Sequence, residues 1–108
     1  MCHTRVLATK DQTVISSCIG CGMYYVWHNN LVLNFSTPAF DSFREVVDTI
    51  NFEHNCLPFP DGNERLILHT PNDDISFAFD EAEFEAFRAA IDEAIYMNEI
   101  YSLMRNER

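Results

Sequence analysis

Lysine is almost missing from this sequence. Lys10 is the only one among 108 residues, and with six arginines it faces 17 acidic side chains, for a formal charge of -10. That balance argues against nucleic acid as a partner, because engaging a phosphate backbone draws on clustered Lys and Arg. It argues equally against an anionic membrane surface, which calls for charge of the opposite sign. Long apolar runs are lacking too: none approaches the roughly 18 residues needed to span a bilayer. Residues 1–30 also carry no basic start followed by an apolar stretch and a small-residue cleavage site, so the expected location is cytoplasmic. Glycine occurs only 3 times, and no nucleotide-binding loop, HExxH, nucleophile elbow or paired-carboxylate motif is present. Nothing here specifies a reaction, and the expectation is a protein that is not an enzyme.

What is present reads as one globular domain over residues 1–108. Apolar residues make up 47% and charged residues 22%, enough to bury an ordinary core. The stretch Leu31 to Ile50 carries the clearest pattern. Leu31, Leu33 and Phe35 alternate with Val32 and Asn34 as in a strand, and then Phe40, Phe43, Val47 and Ile50 fall at helical spacing. Ser36, Thr37 and Pro38 supply a cap and a first-turn proline at the junction. Shifted by 44 positions, residues 31–50 lie on residues 75–94: Phe35 on Phe79, Phe40 on Phe84, Phe43 on Phe87, Arg44 on Arg88 and Asp48 on Asp92. Five identities in twenty pairs exceed the roughly one expected from average residue usage. The sequence therefore predicts an α+β fold, an antiparallel sheet of hairpins with two helices on one face, built as tandem strand-strand-helix units. Residues 1–21 form an N-terminal hairpin and CxxC, residues 22–52 the first unit, and residues 65–105 the second unit with an extended helix.

In the hairpin, Arg5 to Ala8 and Thr13 to Ser17 flank the polar Thr9-Lys10-Asp11-Gln12. A turn centred between Lys10 and Asp11 places His3 opposite Cys18, with Cys2 beside it. Helix one is expected from about Pro38 to Phe52, residues 53–63 as a loop, and helix two from Asp80 or Glu81 as far as Arg105. The acidic run Asp73, Asp74, Asp80, Glu81, Glu83 and Glu85 reads as a solvated face with favourable charge at a helix N-terminus, or as a docking surface for a basic partner.

Four cysteines, Cys2, Cys18, Cys21 and Cys56, are few for a secreted disulfide scaffold. The most specific chemical signal is Cys18-Ile19-Gly20-Cys21-Gly22. Two thiolates two residues apart reach one metal when the intervening backbone turns tightly, and a glycine after the second cysteine accepts the positive φ this needs. No second CxxC completes the site. The expected zinc ligands are Cys18, Cys21, Cys2 and His3, with His54 or Cys56 as alternatives for the fourth position. Buried thiols without a ligand are the plain alternative. Thiol-disulfide chemistry at Cys18 and Cys21 is another, but it lacks a helix N-terminus to lower a thiol pKa, since Met23 to Trp27 reads as strand. Loss of Met1 would also expose Cys2 as an N-terminal nucleophile, without any stretch suited to an oxyanion hole.

His28 and His69 read as structural, and Arg44/Asp48 and Arg88/Asp92 as surface ion pairs worth only about 0.3 kcal/mol each. Trp27, Tyr24 and Tyr25 pack in the core or on a sheet face, unless they line a pocket. Beyond the core stripe, Tyr96, Met97, Ile100, Tyr101, Leu103 and Met104 make the end of helix two apolar on more than one side. The expectation there is a homodimer through Tyr96, Ile100, Leu103 and Met104, with packing beneath the Pro58 to Pro60 loop as the alternative.

An N-terminal Cys-His, a CxxC some fifteen residues later, a Leu-x-Leu-x-Phe strand and a Phe-x-x-Phe helix together resemble a domain-of-unknown-function family of small proteins found mainly in Bacteroidetes, over residues 1 to about 55. The resemblance implies a cytoplasmic protein with a shared cysteine site at Cys2, Cys18 and Cys21, and no assigned activity. The function expected from these readings is a small cytosolic interaction or regulatory module, zinc-stabilised at its N-terminal cysteines. The alternative is a thiol-disulfide redox enzyme or sensor using Cys18 and Cys21.

Overall fold

Strand β1 (Thr4–Lys10) turns through Asp11, at φ +50°, into β2 (Thr13–Cys18), and β3 (Tyr24–His28) and β4 (Leu31–Phe35) follow as a second hairpin. These four make an antiparallel sheet in chain order. Helix α1 (Thr37–Thr49), the single turn α2 (Phe52–Asn55), and β5 (Cys56–Pro58), β6 (Glu64–His69) and β7 (Ser76–Phe79) come next. The last three strands make a separate antiparallel sheet, and α3 (Glu81–Asn106) closes the chain. This computed structural model describes residues 3–106, with only the backbone described for 105 and 106. The α+β class with antiparallel hairpins is as the sequence predicts, but the strands divide into two sheets where one was expected. Periodicity says which face of a strand is apolar and nothing of which edge it shares.

The first hairpin differs in register from the expectation. Thr4, not His3, lies opposite Cys18, because the two-residue turn centres one residue later, which alone would set Arg5 there, and a bulge between Val6 and Ala8 moves the pairing back by one. Helix one is also shorter than its apolar stripe suggests. It stops at Thr49, Ile50 and Asn51 are extended, and Asn51 Oδ1 accepts the His54 N–H at 3.1 Å to start α2 as a new turn. The stretch read as loop thus contains α2 and the short β5.

Leu33 and Phe35 from β4, Phe40, Phe43 and Val47 from α1, Phe77 and Phe79 from β7, and Phe84, Phe87 and Ile91 from α3 join one buried cluster with Ile15 and Val26 of the first sheet. The apolar pairs Leu33/Phe77, Phe35/Phe79, Phe40/Phe84, Phe43/Phe87 and Val47/Ile91, related by the shift of 44, therefore occupy core positions. Both helices begin at a side-chain cap, Ser36 for α1 and Asp80 for α3. Inside, Phe35 stacks on Phe43 at 4.9 Å and Tyr24 on Phe40 at 4.2 Å. His28 presents its ring edge-on to Phe77 at 5.5 Å and Phe79 at 5.2 Å, joining the end of β3 to the second sheet. Trp27 lies on the other face of its strand, 52% exposed, with its indole N–H donated to the Asn29 carbonyl at 2.6 Å.

The repeated Arg and Asp residues form a lattice across α1 and α3. Arg44 Nε is 3.2 Å from Asp48 and 3.8 Å from Asp92, and Arg88 Nη2 donates to the Ile50 carbonyl at the end of α1. Burial, reinforced by the adjacent Asp48 carboxyl, raises the Asp92 pKa against the pull of both arginines. Helix α3 is fastened to β1 as well, by Lys10 to Glu93 at 3.2 Å and by the Arg5 guanidinium 4.1 Å above the Tyr101 ring.

Candidate functional site

The link between β2 and β3 is a tight turn built around the cysteine pair. Gly22 N–H donates to the Cys18 carbonyl at 3.0 Å and Cys18 N–H to the Met23 carbonyl at 2.8 Å. Gly22 sits at φ +73°, where a side chain would be strained. The Cys21 amide points at Cys18 Sγ, 3.4 Å away. This is the close amide-sulfur approach expected from Cys18-x-x-Cys21-Gly22. Cys18 is buried, whereas Cys21 is exposed.

The N-terminal strand reaches this turn. The His3 carbonyl accepts the Ile19 N–H at 2.9 Å, one residue past Cys18. Ser17, Cys18, Gly22 and Tyr24 border a cleft of about 140 Å³ that is completed by Thr37 of α1 and Asn98 of α3. Thr37 Oγ1 donates to the Gly22 carbonyl at 2.7 Å, so the turn is tied to the first turn of α1.

Of the expected zinc ligands, Cys18 and Cys21 share one turn and the His3 backbone lies beside it, while Cys2 lies outside the described residues. His54 and Cys56 are placed on the second half of the chain, His54 in α2 and Cys56 at the start of β5 with its Sγ 3.8 Å from the Glu53 carbonyl. Among the described residues, no group of three His, Cys, Asp or Glu side chains is positioned to hold a metal. The turn therefore brings two of the expected ligands together, Cys18 and Cys21.

The end of α3 carries the other expected feature. Met97 and Tyr101 pack against the core, while Tyr96, Leu103 and Met104 are exposed, Leu103 by 64%. With partly exposed Ile100 they follow one another at positions 96, 100, 103 and 104, a single helical stripe. Among the described residues no helix is long and apolar enough to cross a membrane.

A third feature was not read from the sequence. Strands β4 and β7 are each the last strand of their sheet and do not pair with one another. One hollow of about 410 Å³ lies between residues 32–35 of β4 and Pro71, Asn72 and Ile75 of the β6–β7 turn, and another of about 230 Å³ lies between residues 28–31 and β7 with Glu83. Local patterning marks Leu31 to Phe35 as a strand but does not say that its outer edge stays open.

Fold and turn together define an α+β protein of two antiparallel meanders, with a tight cysteine turn beside the first turn of α1. The chain belongs to the Family of unknown function (DUF6686), whose model matches residues 1–94. That match includes every strand, α1, α2 and the first half of α3, and so extends past the N-terminal half on which the resemblance rests. Comparison with curated proteins found no match, and neither did comparison with solved structures.

Proposed function

We propose that this protein is a small non-enzymatic interaction module whose N-terminal strand is clipped to the β2–β3 turn by zinc. Cys18 and Cys21 would hold the metal together with Cys2 and His3. The observation that carries this reading is the amide-sulfur contact from Cys21 to Cys18 within a turn closed by positive-φ Gly22. Zinc bound there would supply a cross-link between the chain start and the turn, and its binding energy would count as folding energy. The polypeptide's part is to present the two sulfurs from one turn, bury Cys18, and bring the His3 backbone alongside. The exposed stripe on α3 extends the same reading to a homodimer through Tyr96, Ile100, Leu103 and Met104.

The redox alternative is disfavoured by local structure. The residues after Cys21 enter strand β3, so the pair does not open a helix of its own as thioredoxin-like pairs do, although the first turn of α1 reaches Gly22 through Thr37. Metal analysis of protein purified without chelator separates the two readings. About one zinc per chain is expected, lost in Cys18→Ser and in Cys21→Ser together with a fall in melting temperature. Metal-free protein whose Cys18–Cys21 pair cycles with dithiothreitol would replace the zinc module by a thiol enzyme or sensor.

A further inference from the structure

The groove has β4 and the β3–β4 turn on one side, and β7 and the β6–β7 turn on the other. Residues 28–31 line one hollow together with residues 76–79 and Glu83, and residues 32–35 line the next with Pro71, Asn72 and Ile75. The groove therefore follows the whole of β4. Beneath it lie the buried rings of Phe35, Phe77 and Phe79. The main-chain edge of β4 can be assigned from its hairpin. Asn29 and Asn30 form a two-residue turn closed by the His28–Leu31 pair, with Asn29 at φ +54°. In such a turn the closing pair is hydrogen-bonded and the bonding then alternates. Leu33 and Phe35 thus bond across to β3, and the N–H and C=O groups of Val32 and Asn34 point away from it, along the groove.

From this the geometry points to a β-augmentation site: the groove takes an extended peptide segment of a partner protein that pairs with the open edge of β4 and packs against Pro71, Asn72 and Ile75 before the start of β7. An added strand alternates with its neighbour, so residues opposite Leu31, Leu33 and Phe35 meet the apolar inner side, and those between them stay on the outer face. Five residues match the length of β4. Charge fixes the flanks of the occupant. Glu83 stands at one end, Asp73 and Asp74 follow Asn72 at the other, and the chain carries -10 overall. The partner segment is therefore apolar at alternate positions and basic on either side. Natural proteins protect open edges with inward charges, proline or bulges. Strand β4 (Leu-Val-Leu-Asn-Phe) has no charge or proline, and no bulge interrupts its pairing with β3.

This inference names the partner chemistry of the proposed interaction module, and its test is independent of the metal. The probe is an acetylated, amidated nonapeptide, Lys-Lys-Val-Thr-Val-Thr-Val-Lys-Lys, titrated into the isotope-labelled full chain. The Val32 and Asn34 amide resonances are expected to shift, and their exchange with solvent to slow by about tenfold, at about 1 mM peptide. The same peptide N-methylated at alternate residues keeps the charge, loses its donors and is expected not to bind. Val32→Pro removes an outward donor without touching the β3 ladder, and is expected to weaken binding about tenfold or more with an unchanged melt. Absence of binding by the parent peptide overturns the proposal, as does equal binding of the methylated one or perturbation confined to the end of α3. Metal-free protein that still binds the peptide would sink the zinc clip and leave the groove standing; zinc-bound protein that ignores the peptide would do the reverse.

Discussion

His28 shows how one residue reports its surroundings. Its Nδ1 lies 2.9 Å from the hydroxyl of buried Thr13, and its ring edge meets Phe77, Phe79 and Phe87. Burial lowers its pKa from 6.5, and Glu83 only partly opposes this. The unfolded chain then binds a proton that the folded chain resists. Stability should be fully present above pH 6.5 and fall as pH drops through it. In His28→Phe, urea denaturation should show a smaller loss between pH 7 and pH 5. The same variant should be weaker at pH 7 by about 1–3 kcal/mol, because the Thr13 hydroxyl is left without its partner. An equal acid loss in both proteins would place the titrating group elsewhere. The sequence gives His28 only as a structural turn residue. Its ring contacts come from β7 and α3, some fifty to sixty residues along the chain, which no local pattern records. The cysteine turn is the opposite case: Cys18-x-x-Cys21-Gly22 predicts both the positive φ and the amide-sulfur contact, since all its partners lie within five residues.

At the scale of elements, the two strand-to-helix junctions were the most readable parts of the chain. Ser36 accepts the Ala39 N–H at 3.3 Å, and at the junction 44 residues later Asp80 and Glu83 cap each other's backbone at 2.8 and 2.9 Å. The second cap is the tighter, and it begins the longest helix, which packs on both sheets. Asp80→Ala should cost about 1 kcal/mol in urea denaturation, and Ser36→Ala less. A larger loss from Ser36→Ala would mean that α1, not α3, limits stability. What stayed hidden were features set by competition between elements. The α1 stripe runs on to Ile50, yet Asn51 begins a new turn; the first hairpin slips at a bulge; and the outer edge of β4 meets no other strand of the fold. Each depends on what lies alongside, and periodicity carries no such term.

For the whole molecule, the question is which surfaces remain to be covered. The chain is 54 Å long and only 23 by 22 Å across. Helix α3, 26 residues and so about 39 Å, supplies much of that length. It packs against β1 and β2, at the far side of the first sheet from β4, so a contact through its end would leave the proposed peptide groove open. The proposed homodimer places the 96, 100, 103 and 104 stripe against itself about a twofold axis, helix antiparallel to helix. Four side chains alone fall short of the roughly 800 Å² per partner of a standard interface. The association should therefore be weak, and visible at tens of micromolar but not far below. Light scattering should give a mass approaching twice 12.5 kDa at the higher concentration and the monomer on dilution. Replacing Ile100 and Leu103 together by Glu should hold the chain monomeric throughout, with little change in melting temperature, because neither belongs to the buried cluster. A native chain that scatters as a 12.5 kDa monomer at about 100 micromolar would end the dimer proposal. A double variant that unfolds would instead assign the stripe to the fold of the single chain.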